Sequence, residues 1–194
     1  MEGIDASLIA KCKKRNEHAL YTLYHQCYSM MKGICIRYIF DRDCVGEVIN
    51  TGFLKIVNGL EKYDSTMPFH PWASTIMIRV ALDHIRKTMR SKDRFTDHYE
   101  DISSLNGQVH DFNYADQNFD AQELRLMLEK LPNQTRVVFN LFAIDGYSHK
   151  EIGDRLNISD GTSKWHVSKA REQLQKELKD KMNKNKSDYE PSHR

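Results

Sequence analysis

A chain of 194 residues, 40% of them hydrophobic, is long enough for two small domains with cores of modest size. No apolar run approaches membrane-spanning length and the N-terminus lacks a signal peptide's apolar core, so a cytoplasmic protein without membrane insertion is expected. The net charge of +2 hides its distribution: Arg79 to Arg94 holds six bases against two acids, whereas Phe95 to Leu124 has no Lys or Arg beside seven acids (Asp97, Glu100, Asp101, Asp111, Asp116, Asp120, Glu123), a pattern of nucleic-acid surfaces separated by something that avoids nucleic acid.

Residues 5 to 40 predict two helices, with apolar stripes at Leu8, Ala19, Leu20, Leu23 and Tyr24, then at Met30, Met31, Ile34, Tyr38 and Ile39. Cys12, Cys27, Cys35 and Cys44 lack the close pairing of zinc sites and read as buried reduced thiols. The next helix, about Cys44 to Tyr63, has Val45, Ile49, Phe53, Ile56 and Leu60 at spacings of three and four. Gly46, Gly52 and Gly59 weaken it by roughly 1 kcal/mol each relative to alanine, so packing or a partner must hold it.

Asp64 to Pro71 predicts a loop, with Pro71 opening the next helix. That helix is apolar over much of its circumference (Trp72, Ile76, Ile78, Val80, Leu82, Ile85, Met89), and Arg79, Asp83, Arg86 and Arg90 form its polar stripe. Residues 91 to 120 lack apolar periodicity and predict a flexible acidic linker. Beyond it, Leu124, Leu128 and Leu131 share one helix face; Pro132 ends that helix and opens another bearing Val137, Val138, Leu141 and Phe142.

The densest signals lie between Gly146 and Leu174. Ser148 and Glu151 make a capping box, and Tyr147 can close on Ile152 as a hydrophobic staple. Leu156 is the last apolar anchor of that helix, and Asn157 follows where a left-handed residue usually ends one. Ser159 can cap a second helix, with Asp160 at the positive end of its dipole. Val167, Ala170, Leu174 and Leu178 lay one apolar stripe toward the first helix. The free face carries Lys164, Ser168 and Arg171, with Trp165 and Lys169 beside them, a set suited to phosphates and base edges in a major groove. The pattern is a helix-turn-helix that binds DNA; a tight helical hairpin with an ordinary basic surface is the alternative. No phosphate-cradling glycine loop, catalytic carboxylate pair or nucleophile motif occurs, so no enzyme, metal or cofactor is expected.

Two stretches together carry a family resemblance. VGEVINTGFLKIVNGLEKYDSTMPFHPWASTIMIRVALDHIRK, from Val45, resembles region two of bacterial sigma-70 factors, and LPNQTRVVFNLFAIDGYSHKEIGDRLNISDGTSKWHVSKAREQL, from Leu131, resembles region four. With only these regions and a short linker, the chain resembles an extracytoplasmic function (ECF) sigma factor, similar in style to those of Bacteroidetes.

The resemblance implies that Glu47, Asn50, Thr51 and Lys55 grip core RNA polymerase, although the family usually has Gln and an acid where this chain has Asn50 and Thr51. It implies that Phe69, His70, Arg79, Arg86, Lys87 and Arg90 capture the opened minus-ten element, with Arg79 standing where many relatives have Asn. Unstacked bases gain roughly 1 to 3 kcal/mol each by stacking on aromatics while cations neutralise the backbone. Trp72 is expected to be core, and Phe69 is open between core and base contact. Thr162, Lys164, Trp165, Ser168, Lys169 and Arg171 match positions that read the minus-thirty-five element, Trp165 replacing the usual small or basic residue. An anti-sigma partner is a further family expectation.

The expected organisation is all-α. Two small helical domains, 1–90 (region two) and 121–182 (region four), are joined by the acidic linker 91–120 and followed by a polar tail, 183–194; the second domain contains the helix-turn-helix. The expected function is promoter recognition and transcription initiation. Two rivals are a helix-turn-helix regulator that binds duplex DNA as a dimer, and a polymerase-docking adaptor.

Overall fold

The computed structural model describes residues 4–91 and 121–187; the linker and the final residues of the expected tail lie outside the described residues. Among the described residues every regular element is helical, and none is long and apolar enough to cross a membrane. The chain divides into two compact units, 1–96 and 97–194.

The N-terminal unit contains α1 (Ala6–Lys13), α2 (Glu17–Tyr38), α3 (Val45–Gly59) and α4 (Phe69–Ser91), with 3-10 turns at Arg42–Cys44 and Leu60–Lys62. Asp5 and Asn16 cap the first two helices by accepting the N–H groups of Ser7 and Ala19. The helices enclose Leu23, Cys27, Met31, Tyr38, Ile56, Leu60 and Met77. Helix α3 is held as its glycines require: a Cβ on Gly52 would stand 2.1 Å from Met77 Sδ, and one on Gly59 3.1 Å from the Trp72 ring. These glycines let α4 approach closely, so packing offsets their poor propensity. Cys12, Cys27 and Cys35 are buried free thiols, and burial pushes Cys27 up to about 12 and Cys35 to about 11. Cys44, expected to be buried, is only half-buried, with its Sγ 3.6 Å from Asp41 Oδ2.

Helix α4 begins at Phe69, before Pro71. The first turn of a helix leaves its N–H groups without intrahelical acceptors, so a proline fits there at no cost in hydrogen bonds.

The C-terminal unit contains α5 (Ala121–Glu129), α6 (Asn133–Phe139) running on as a π-helical turn (Asn140–Ile144), α7 (His149–Leu156) and α8 (Asp160–Ser187). Helix α8 runs further than the expected frayed end near Lys179, because propagation adds one hydrogen bond per residue once the helix is nucleated. Its inward stripe, Val167, Ala170, Leu174 and Leu178, is buried, and the last three pack with Met127, Leu128, Leu131 and Phe139. A polar pair lies inside the same unit: Thr135 Oγ1 is 3.0 Å from His166 Nδ1, with both residues buried.

Candidate nucleic-acid interfaces

The turn between α7 and α8 is built by short-range chemistry. Ser148 accepts the Glu151 N–H, and the Glu151 carboxylate accepts the Ser148 N–H at 2.9 Å, closing the capping box. The Ser148 N–H and the Ser148 hydroxyl, both donating to the Glu151 carboxylate, hold that carboxyl below its ordinary range. Asn157 ends α7 in the left-handed conformation at φ 56°. A Cβ on Gly153 would stand 2.8 Å from the Ile158 carbonyl oxygen, so the turn folds back across a position that only glycine fits. Tyr147 presents its ring to the Arg155 guanidinium, 4.1 Å from the centroid.

Helix α8 then displays Lys164 and Ser168 exposed, with Trp165, Lys169 and Arg171 half-exposed. Lys164 pairs with Asp160 at 2.6 Å and Lys169 with Glu172 at 3.1 Å. Exposed pairs of this kind contribute about 1 kcal/mol or less, so a phosphate can replace the carboxylate. Thr162 is a correction to the sequence expectation. It is buried, its N–H donates to Ser159 Oγ at 2.9 Å, and the two hydroxyl oxygens are 2.8 Å apart. At the third helical position after the cap, this side chain completes the turn instead of reaching outward.

One residue missed in the sequence stands behind this face. His149 stacks on Phe142 with ring centroids 4.4 Å apart, and its Nδ1 is 3.0 Å from the hydroxyl of buried Ser163 in α8. It therefore ties the first turn of α7 to the start of α8. Burial lowers its pKa, Asp160 opposes that, and Lys164 and Arg171 reinforce it.

In the N-terminal unit the corresponding surface is assembled from two helices and the segment between them. Two grooves flank Lys55. The smaller, about 340 Å³, is lined by Glu47, Thr51, Lys55, Asp83, Arg86 and Lys87 among others; it brings residues expected to meet polymerase beside residues expected to meet DNA. Lys55 Nζ lies 3.7 Å and Arg86 Nη1 3.4 Å from the Asp83 carboxylate. The larger groove, about 700 Å³, runs along Lys55, Lys62, Tyr63, Met67, Trp72 and Arg79. Its loop is pinned by the Tyr63 hydroxyl donating to the Met67 carbonyl and by Asp64 accepting the Thr66 N–H at 2.9 Å.

Phe69, open between core and base contact in the sequence, is decided against direct base contact. It is buried, with its ring centroid 5.4 Å from both Tyr63 and Trp72, so it supports the groove from beneath. Trp72, expected to be core, is half-buried and lines the groove. His70 is half-exposed beside Phe69, and the side chain of Arg90 lies outside the described residues. On α3, Asn50 Oδ1 lies 3.5 Å from the Tyr24 hydroxyl. Leu54, which sequence reasoning passed over, is 61% exposed; its position off the apolar stripe of α3 was the available signal.

Comparison with known proteins gives a consistent result. Residues 23–91 match the family model described as Sigma-70 region 2, and residues 121–174 the one described as Sigma-70, region 4. The chain is 26% identical over 188 residues to the "ECF RNA polymerase sigma factor SigW" of Bacillus subtilis, a match covering 93% of this chain and 100% of that protein. It is 23% identical over 177 residues to the "ECF RNA polymerase sigma-E factor" of Escherichia coli K12, covering 88% and 92%. A solved structure of the sigma factor RpoE with the anti-sigma factor NepR from Bartonella quintana matches at a TM-score of 0.49 and 18% identity, over 82% of this chain and 96% of that one.

Proposed function

The chain belongs to the sigma-70 family as an ECF RNA polymerase sigma factor, and from that membership we propose how its surfaces divide the work of initiation. The observation that carries the division is the pairing of one exposed basic helix face in the C-terminal unit with an aromatic and basic groove in the N-terminal unit.

Helix α8 reads the duplex minus-thirty-five element through Lys164, Trp165, Ser168 and Lys169, with Arg171 nearer the backbone. The groove of Tyr63, Met67 and Trp72 receives an unstacked base of the minus-ten element, and Arg79, Arg86, Lys87 and Arg90 neutralise the strand. Glu47, Asn50 and Thr51, with exposed Leu54 one turn further along α3, form the polymerase face. Exposed bases are stabilised only once the duplex is open, so the chain favours melting by differential binding and makes no bond itself. This reading places the protein in the cytoplasm, with core polymerase and promoter DNA as partners and an anti-sigma protein holding the free form inactive.

Reconstitution tests it. The purified chain added to sigma-free core polymerase with genomic promoter fragments yields discrete transcript starts that depend on the chain, and Arg86→Ala with Arg90→Ala abolishes promoter opening. Binding to polymerase without any initiation would overturn the reading in favour of an adaptor.

A further inference from the structure

We infer that His149 couples the hold of helix α8 on duplex DNA to the uptake of a proton, so that duplex affinity rises as the solution turns mildly acidic. This deepens the role proposed above for α8 and rests on it.

The ring is built into the base of that helix. It stacks on Phe142 with centroids 4.4 Å apart and planes only 15° from parallel, and its Nδ1 lies 3.0 Å from the Ser163 hydroxyl. That bond survives protonation, because a protonated ring donates from both nitrogens and the hydroxyl can accept. His149 is half-exposed, so a proton reaches it from solvent. His166, on α8 itself, is buried against Thr135 instead.

Burial is the main force holding the ring's pKa below its ordinary value; Asp160 opposes it, while Lys164 and Arg171 reinforce it. All three charged groups belong to α8. The π-helical turn sets uncharged Phe142 against the ring, and on α7 the Glu151 carboxylate is engaged by Ser148.

The two cations that oppose protonation are the two proposed to meet the duplex. Lys164 is paired with Asp160 at 2.6 Å, and the Arg171 guanidinium lies 5.9 Å from the centre of the Phe142 ring that carries His149. Arriving phosphates offset both positive charges. A Lys164 that turns to DNA also releases Asp160, whose carboxylate already interacts with the His149 charge. Both changes favour the protonated ring, and neither requires a helix to move. A group that binds its proton more tightly in the complex makes the complex tighter as pH falls. The bound ring has the higher pKa, so affinity climbs as pH falls through the bound value and levels off below the free one.

The experiment uses the full chain and a labelled duplex of random sequence at low salt, since phosphates alone supply the charge, with affinity measured from about pH 8 to about pH 6. The unaltered chain is expected to bind about three- to tenfold more tightly at the acid end, tenfold being the full effect of a one-unit rise in pKa. His149→Gln and His149→Phe should each lose most of that gain. Glutamine keeps a polar partner for Ser163 and phenylalanine keeps the stack on Phe142, so a loss common to both is the loss of the titrating ring. Lys164→Gln should weaken binding throughout. If it does so while both His149 variants retain the original pH profile, the proton goes elsewhere, and the inference fails while the role of α8 stands. If Lys164→Gln leaves duplex affinity unchanged, α8 does not hold the duplex and both fall together.

Discussion

In the C-terminal unit the exposed candidate contacts Lys164 and Ser168 stand on one helix, four residues apart. In the N-terminal unit Lys55, Lys62, Arg79 and Arg86 come from α3, the turn after it and α4, and converge only because Gly52 and Gly59 let α4 approach. A face on a single helix follows from helical period once the inward stripe is known. A groove between helices depends on their distance and relative rotation, so its members change with the packing. The C-terminal surface should therefore respond to disruption of its own helix and turn, and the N-terminal one to the contacts between helices.

The largest expected effect is at the inward stripe. Leu174→Ala removes a side chain only 1% exposed and should destabilise the C-terminal unit by about 2–5 kcal/mol. Each unit has one tryptophan, Trp72 and Trp165, so urea unfolding followed in variants retaining a single tryptophan reports each separately. The Trp165 midpoint should fall while the Trp72 midpoint holds; a common shift would show one cooperative unit and break the comparison.

Two glycines sharpen it next. Gly153→Ala sets a Cβ against the backbone oxygen of Ile158, which cannot swing aside, and should cost about 1–3 kcal/mol in the same unfolding assay. Gly52→Ala meets the flexible end of Met77, and alanine's better helix propensity, about 1 kcal/mol, offsets much of the strain. Its shift should be the smaller of the two. An equal or larger loss at Gly52 would mean that the α3–α4 contact is as unyielding as the turn.

Binding separates the surfaces further. Lys164→Gln should lower the salt slope for duplex minus-thirty-five DNA by about 0.9 and leave that for single-stranded DNA unchanged. Arg79→Gln should do the reverse. Measured in holoenzyme, equal effects of either variant on both ligands would dissolve the division of labour.

The smallest effect is the pH response of the capping box. Glu151 has a folded pKa below its ordinary 4.5 because Ser148 donates to the carboxylate. A depressed folded value means that its contribution to stability is present above about pH 4.5 and is lost as the pH falls through the folded value. Glu151→Gln should flatten the Trp165 unfolding midpoint across that acid range, and an unchanged profile would mean that the box contributes nothing measurable.

The local signals of the helix-turn-helix were legible because the groups that make them are close in the chain. Ser148 reaches Glu151, Ser159 reaches Thr162, and Asn157 takes up a left-handed conformation that its short polar side chain tolerates. The stripe Val167, Ala170, Leu174 and Leu178 followed from helical period alone. Even here the family resemblance points Thr162 at DNA, whereas its spacing from Ser159 marks it as part of the cap. What required the tertiary structure was every property set by a neighbour distant in sequence. Phe69 is buried because Tyr63 and Trp72 close over it, while Trp72 keeps a face open. Thr135 finds His166 across 31 positions, and Gly52 leaves room for a methionine on another helix. The sequence determined which residues could cap, turn and align on a helix, since hydrogen bonding over three or four residues acts within one segment. Only the packing decided which aromatic rings and cations face a groove, because that depends on how two helices meet.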